Sequence, residues 1–336
     1  MKRRLKAKIE SRPLKTPLRI TGHSFDTYEL LSVEIEEGSV TGRGEAWGVY
    51  FKGETAADLL SQVEAVSSEL CSGASREDLI RILPAGGARN ALDCALWELE
   101  SKLKRVPVAS LVGLNGTRPL QTMYTLSADT PSEMAKMALD FGPARIIKLK
   151  LTGDPEDSER VRAVGNARPE VALVVDANQG FTPDSLDALI PVLVSSRVEL
   201  IEQPFPVGHE EGLSLIRSPI PIVADESVCD IEDLERLRGR VQAINIKLDK
   251  CGGLTRGLQL AHEARGMGFD LMVGCMLGTS LAAAPGFVIG QICRYVDLDL
   301  VLRCVTDRVP GVQYDQGWIK CGPAVWGFDP SGESTS

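Results

Sequence analysis

From residue 148 onward, charged residues recur at nearly even steps. Lys148-Leu-Lys150, Asp176-Ala-Asn178, Glu202, Asp225-Glu226, Lys247 and Asp297-Leu-Asp299 each close a short apolar run, and from Lys150 to Lys247 the steps are 26, 26, 23 and 22 residues. One strand, one helix and two loops take about that much chain. Charges at the C-terminal ends of successive parallel strands meet at one mouth, so the series reads as a catalytic ring. Asp176, Glu202 and Asp225 fall on three consecutive strands. Three adjacent carboxylates repel one another unless a cation neutralises them. Oxygen-only ligands suit a hard ion, and Mg²⁺ binds few carboxylates while keeping room for water and substrate oxygens. Mg²⁺ is therefore the expected cofactor.

In a strand, residues i and i+2 share a face, so Lys148 and Lys150 point the same way. An apolar strand does not place two lysines inward without partners. Lys247 ends a strand four places further round, opposite Lys150 in a ring of eight. A substrate carboxylate on a metal between them would offer its α-proton to one lysine, and the other could return a proton from the opposite face. Crowding by a dication and by each other is expected to lower the lysine pKa values toward neutrality. Asp297 and Asp299, sharing a face by the same rule, could hold a substrate ammonium. Asn178 and Glu226 are candidates to support the metal ligands. Thr125, at the end of the first strand, serves equally as a pocket wall or as core.

These residues need a frame. Strand patterns fall near 120–125, 146–150, 171–176, 199–203, 222–226, 243–247, 271–275 and 295–299, with helical patterns between them, such as Leu254 to Met267. Eight such units argue for a closed parallel barrel. An open doubly wound sheet is the rival, but no GxGxxG opens a helix. Residues 1–117 lack this rhythm. They read as strands (Pro17–Thr21, Glu29–Glu36, Ser39–Trp47) and then helices over 54–70 and 87–104, an α+β unit. The expected organisation is an α+β capping domain over 1–117, a TIM-like barrel over 118–302, and a segment 303–336 folding back on the cap, with a disordered tail from Ser331.

Composition narrows the function. The 336 residues are 43% hydrophobic and 25% charged, with net charge −9, which excludes a basic nucleic-acid surface. The basic start is followed by no apolar signal core, and no run is long and apolar enough to span a membrane. Eight scattered cysteines form no CxxC pair and read as reduced thiols of a cytoplasmic protein. Three distant histidines give poor support to zinc.

Taken together, the motifs resemble the enolase superfamily, in its muconate-lactonizing subgroup. They are Gly44-Glu45-Ala46, Ala88-Arg-Asn-Ala-Leu-Asp-Cys-Ala-Leu-Trp97, Lys148-x-Lys150, Asp176-Ala-Asn178, Glu202-Gln-Pro, Ala224-Asp-Glu-Ser227 and Asn245-Ile-Lys247. The resemblance implies a (β/α)7β barrel under a capping domain, with specificity set by cap loops. It also implies a lysine base and an Mg²⁺-stabilised enediolate. Asp297-Leu-Asp299, with Gly274-Cys275-Met276 before it, resembles the dipeptide epimerases, in which paired aspartates hold the free amino terminus. The implied reaction inverts the α-carbon of the C-terminal residue of an L,L-dipeptide. Lys150 and Lys247 would be the acid/base pair, with Lys148 beside the substrate carboxylate. Relatives acting on Ala-Glu carry an arginine in the first cap loop. Here that loop has Phe25 and Asp26 and no arginine, which points to a hydrophobic or cationic second residue. A further departure is Leu277-Gly-Thr-Ser280, where many relatives carry an acid and a serine. Muconate cycloisomerase, o-succinylbenzoate synthase and N-acylamino acid racemase share the metal and the lysines and remain alternatives. A silent ligand-binding scaffold is a further rival that no residue favours. Relatives are commonly homo-oligomers, though no interface signature stands out.

Overall fold

The computed structural model describes residues 2–20 and 22–333. Three strands, β1 (Arg4–Ile20), β2 (His23–Glu37) and β3 (Val40–Ala46), form an antiparallel sheet. Eight more form one all-parallel sheet in chain order: β4 (Met123–Leu126), β5 (Ile146–Lys150), β6 (Ala172–Asp176), β7 (Val198–Glu202), β8 (Ile222–Ala224), β9 (Ala243–Lys247), β10 (Asp270–Gly274) and β11 (Tyr295–Asp297). Most of these strands are buried on both faces, which is why they read as apolar runs rather than alternations. Helices follow the strands with clear start signals. Thr130-Pro131 and Thr182-Pro183 each put a hydroxyl on the first free N–H groups and a proline where no donor is needed. β4 and β11, which must meet to close the barrel, share no backbone ladder among the described residues. Side chains close the seam: Leu298 N–H donates to Thr122 Oγ1 (3.0 Å) and Thr125 N–H to Asp299 Oδ2 (2.6 Å).

Inside the barrel, strand alternation sorts the side chains by height. Met123, Val174, Leu200, Val223, Ala243 and Met272 form a separate apolar cluster, with Ile146 and Tyr295 packed against it. Two residues further along each strand come Thr125, Lys148, Asp176, Glu202, Asp225, Asn245, Gly274 and Asp297. A further two bring Lys150 and Lys247. An apolar plug thus carries a charged layer at the C-terminal mouth.

Three expectations are corrected. β1 begins at Arg4, not at Pro17. Its first half alternates charged residues with Leu5, Ala7 and Ile9, an apolar face too weak to stand out in the sequence. The cap loop is the tip of the β1–β2 hairpin, with Phe25 and Asp26 already inside β2; Thr21 lies outside the described residues. The helical stretch 54–70 is two pieces, Ala56–Ala65 and Ser67–Cys71, joined by a non-helical Val66. The last segment does more than cover the cap. Its strands Gln313–Asp315 and Trp318–Lys320 pair with each other, and Trp318–Lys320 pairs with Leu120–Gln121 at the barrel's N-terminal end. Its Arg308 and Gly327 reach Glu45 and Glu98 of the cap. Pro330–Glu333 form a 3₁₀ turn, and the rest of the tail expected to be disordered lies outside the described residues.

Candidate active site

The charged layer is a closed network. Asp176 and Glu202 are fully buried and Asp225 is 1% exposed. Lys148 Nζ stands among three acids, 2.6 Å from Glu202 Oε2, 2.7 Å from Asp297 Oδ2 and 3.0 Å from Asp176 Oδ2. Lys150 donates to Asp176 Oδ2 (2.5 Å) and Asn178 Oδ1 (2.9 Å). Across the mouth, Lys247 donates to Asp225 Oδ2 (2.5 Å). Asn178 also donates through Nδ2 to Glu226 Oε1 (3.1 Å). The five sequence-derived core groups and both supporting residues therefore converge.

Three supporting residues were missed. Lys250, 1% exposed, takes the other oxygen of Asp225 (Oδ1, 2.5 Å). Asn245 Nδ2 holds Glu202 Oε1 (2.9 Å). Gln203 Oε1 accepts the N–H groups of Asp225 and Ser227 (2.8 and 3.1 Å). The signals were present: Asn245 lies two residues before Lys247 on the same face, Lys250 three residues after it, and Gln203 directly follows Glu202.

The electrostatics are those of surplus negative charge. Six buried carboxylates (Asp176, Glu202, Asp225, Glu226, Asp297 and Asp299) face four buried ammonium groups (Lys148, Lys150, Lys247 and Lys250). Burial, then Asp176, pushes Glu202 up to about 8. Burial, then Asp225, pushes Glu226 up to about 7. Against its burial, Lys150 and Lys148 pull Asp176 down to about 2. Burial would lower Lys247, but Asp225 and Glu202 outweigh it and hold Lys247 above its ordinary value, as Asp297 and Glu202 do for Lys148; the expected lowering belongs to a site that also holds a dication. Acids outnumber ammonium groups, so attraction wins.

These observations test the fit of a hard cation. Among the described residues no three acidic side chains close on one point, because ammonium groups stand between them. The donor set is nonetheless all oxygen and carries more negative charge than the lysines neutralise. Glu202 Oε2 and Glu226 Oε2 are buried without a hydrogen bond, Lys148 lying beside the former outside hydrogen-bonding angles. A dication on Asp176, Glu202 and Asp225 suits that set.

A cavity of about 40 Å³ opens over the layer, lined by Thr125, Lys148, Lys150, Asn178, Lys247, Cys275, Met276 and Asp297. Its roof is cap: Leu18, Ile20, Trp47 and Tyr50. Phe25 stands one layer above, edge-on to Trp47 (4.9 Å) and stacked with His23 (5.9 Å). Asp26 is exposed and does not line the cavity. The aspartate pair is split. β11 ends at Asp297, and Asp299 turns into helical backbone (φ −98°, ψ −11°), so alternation no longer applies. Asp297 faces the mouth with Oδ1 buried and unpartnered. Asp299 spends both oxygens on Thr125 (2.6 and 3.2 Å).

The cap grips the loop that follows Lys247. Arg89 donates to Cys251 O (2.7 Å) and Gly252 O (3.2 Å), Asn90 to Asp249 Oδ2 (3.2 Å), and Asp93 accepts from Thr255 Oγ1 (2.5 Å). Gly252 and Gly253 sit at φ 75° and 115°, and a Cβ there would lie 2.3 Å from Arg89 Nε and 2.5 Å from Asp93 Cβ. The Ala88–Trp97 motif is thus a docking surface for the Lys247 loop.

Comparison with known proteins matches residues 131–304 to the enolase C-terminal domain-like family and residues 3–113 to the mandelate racemase / muconate lactonizing enzyme N-terminal domain. The chain belongs to the enolase superfamily. Within it, this chain is 38% identical to the L-Ala-D/L-Glu epimerase of Escherichia coli K12, over 94% of this chain and 98% of that one. It is 43% identical to the N-acetyl-D-glutamate racemase of a Pseudoalteromonas species, over 74% and 79%. Among solved structures, an enolase family member from Agrobacterium tumefaciens with homology to dipeptide epimerases, holding sodium and L-Ala-L-Glu, superposes with TM-score 0.94 at 38% identity, covering 97% of this chain and all of that one. A dipeptide epimerase from Methylococcus capsulatus with Mg and L-Arg-D-Lys gives TM-score 0.89 at 29% identity, over 95% and 97%.

Proposed function

We propose that this enzyme is a Mg²⁺-dependent dipeptide epimerase that inverts the α-carbon of the C-terminal residue of an L,L-dipeptide. The observation that carries the reading is the opposition of Lys150 and Lys247 across a buried trio of carboxylates, with an unpartnered Asp297 oxygen beside them. Asp176, Glu202 and Asp225 would hold the ion. When bound, Mg²⁺ supplies a positive centre that draws electron density from the substrate carboxylate and acidifies the adjacent C–H. Lys150 and Lys247 flank that carbon, so one removes its proton and the other delivers one to the opposite face. Lys148 holds the carboxylate end and Asp297 Oδ1 accepts from the substrate ammonium. The cap hairpin and Tyr50 exclude water. The eight free thiols suit the reducing cytoplasm.

For the second residue, the roof supports a hydrophobic or cationic side chain rather than Glu. His23, Phe25, Trp47 and Tyr50 form one aromatic group above the mouth. Of the cations nearest in sequence, Arg19 pairs with Asp129 and Arg43 with Glu98, while Lys52 is exposed. Aromatic faces attract apolar and cationic groups and repel carboxylates.

A second reading, racemisation of an N-acylated amino acid, is favoured by the 43% relative. Asp297 discriminates, because an N-acyl substrate has no ammonium. The test is mass spectrometry of L,L-dipeptides pooled by second residue, incubated with enzyme and Mg²⁺ in D₂O. Deuterium gain that is lost on chelation and in Lys150→Ala, and reduced at least tenfold in Asp297→Asn, is the expected result. No exchange in any pool, with exchange in N-acylamino acids, would overturn it.

A further inference from the structure

Asp297 stands on the barrel's weak seam. β11 is three residues long, and among the described residues its backbone ladder runs to β10 alone, with Asp297 opposite Gly274. Lys148 holds Asp297 Oδ2 (2.7 Å), while Oδ1 is buried without a partner. Where that free oxygen points depends on the backbone, and the backbone is fixed through the next residue. Leu298 is gripped on three sides. Its side chain is fully buried against Gly286 of the helix Ser280–Gly290, where a Cβ would stand 3.0 Å from Leu298 Cδ2. Its N–H donates to Thr122 Oγ1 (3.0 Å), and Thr122 is itself fully buried. Its carbonyl lies between the end of β11 and the 3₁₀ turn Leu300–Arg303 and belongs to neither. A buried carbonyl needs a donor. Tyr314 Oη supplies it (2.5 Å), from the strand Gln313–Asp315 of the C-terminal segment. Two hydroxyls from distant stretches thus hold the two ends of the residue that separates the aspartates.

We propose that Tyr314 is a positioning residue for Asp297: with Thr122 it clamps Leu298, and the clamp aims Asp297 Oδ1 at the substrate ammonium. The inference rests on the dipeptide reading. Freeing either end of Leu298 lets its dihedrals relax, which turns the Asp297 side chain and moves Oδ1 off the ammonium. A charge-assisted hydrogen bond depends on distance and direction, so a small turn weakens substrate binding. The lysines and the three carboxylates of the proposed metal site stand on β5 to β9, which have neighbours in the ladder on both sides, so the clamp acts on binding rather than on proton transfer.

The experiment measures kcat and KM separately for one accepted dipeptide, by deuterium incorporation in D₂O with Mg²⁺. It uses the wild type, Tyr314→Phe, Thr122→Val, Thr122→Ser, Asp297→Asn, and Tyr314→Phe combined with Asp297→Asn, each checked for folding by circular dichroism. Tyr314→Phe should raise KM about tenfold, the effect of one lost hydrogen bond, and leave kcat within about threefold. Thr122→Val should do the same from the other end of Leu298. Thr122→Ser keeps the acceptor and should stay within about twofold of the wild-type KM. In the Asp297→Asn background, Tyr314→Phe should add less than about a further twofold, because the charge it aims is already gone. An unchanged KM in Tyr314→Phe and Thr122→Val, or the same rise with and without Asp297→Asn, would overturn the clamp while leaving Asp297 as the ammonium site. Asp297→Asn without effect on KM would overturn the clamp and that site together. No exchange with any dipeptide would overturn the dipeptide reading and the clamp with it.

Discussion

Each candidate metal ligand has one oxygen fixed by a neighbour: Asp225 by Lys250, Glu202 by Asn245, and Asp176 by the backbone N–H of Asn178 (2.9 Å). Such partners set the orientation of ligands, and their loss typically costs 10–100-fold in metal affinity. Asn245→Leu should accordingly weaken Mg²⁺ binding by about tenfold or more, measured calorimetrically on the folded protein without substrate. Unchanged affinity would remove Glu202 from the ligand set. At this scale the sequence was informative wherever strand alternation held, since Lys148, Lys150, Asp176, Glu202, Asp225 and Lys247 all project as period two requires. It was uninformative where the strand had ended. Asp299 left the face of Asp297 because backbone dihedrals, not residue types, decide where alternation stops. Which acid each lysine pairs with was also unreadable, because it depends on buried neighbours drawn from several other strands.

Among the elements, the Lys247 loop is the most constrained. Gly253→Ala combines a left-handed backbone position with a Cβ 2.5 Å from Asp93, so it should destabilise by more than the ~1 kcal/mol that the φ alone implies. A urea unfolding curve with unchanged slope checks this. Asp249, on the same loop, accepts Gly48 N–H (3.1 Å), and burial and then Glu54 push its carboxyl up from 3.8 to about 7. The folded protein therefore keeps a proton that the unfolded chain gives up near pH 4. Stability from this group is present below about pH 4 and is lost as pH rises through about 7. Asp249→Asn should flatten the pH dependence of the urea midpoint across that window, and an unaltered slope would show that Asp249 does not contribute. The helix Gly87–Lys104 and the strands β5 and β9 matched their sequence patterns to the residue, because their apolar periodicity is strong. β1 was shortened because its outer half gains its partner only from β2, a long-range pairing with a weak local signal.

At the scale of the whole molecule, cap, barrel and C-terminal segment meet at Glu45. Its fully buried carboxylate accepts Thr279 N–H and Oγ1 (both 2.6 Å) through one oxygen and Arg308 (2.9 Å) through the other. Thr279 closes the loop that carries Cys275 and Met276 into the mouth. Arg308→Met leaves that carboxylate half-satisfied. Arg308 is itself about a quarter exposed, so the loss should be about 2–3 kcal/mol rather than the full cost of breaking a buried pair. The check is denaturant unfolding, and a loss below 0.5 kcal/mol would make the contact ornamental. The barrel and its cap were legible from rhythm and motif. The path of the last segment was not, since Arg308 pairs with groups remote in sequence and its short strands have no periodicity of their own.

The Glu45–Arg308 contact also bears on how the protein is made. The two residues are 263 positions apart. At about 5–20 residues per second, a ribosome delivers Arg308 roughly 13–50 seconds after Glu45 has emerged. Until then the cap sheet waits with a carboxylate that has no counter-ion, and the loop roofing one side of the mouth has no final anchor. Nascent chains stalled before this arginine should carry a formed Lys150 strand and an open, protease-accessible cap, so catalytic competence arrives only with release of the full chain.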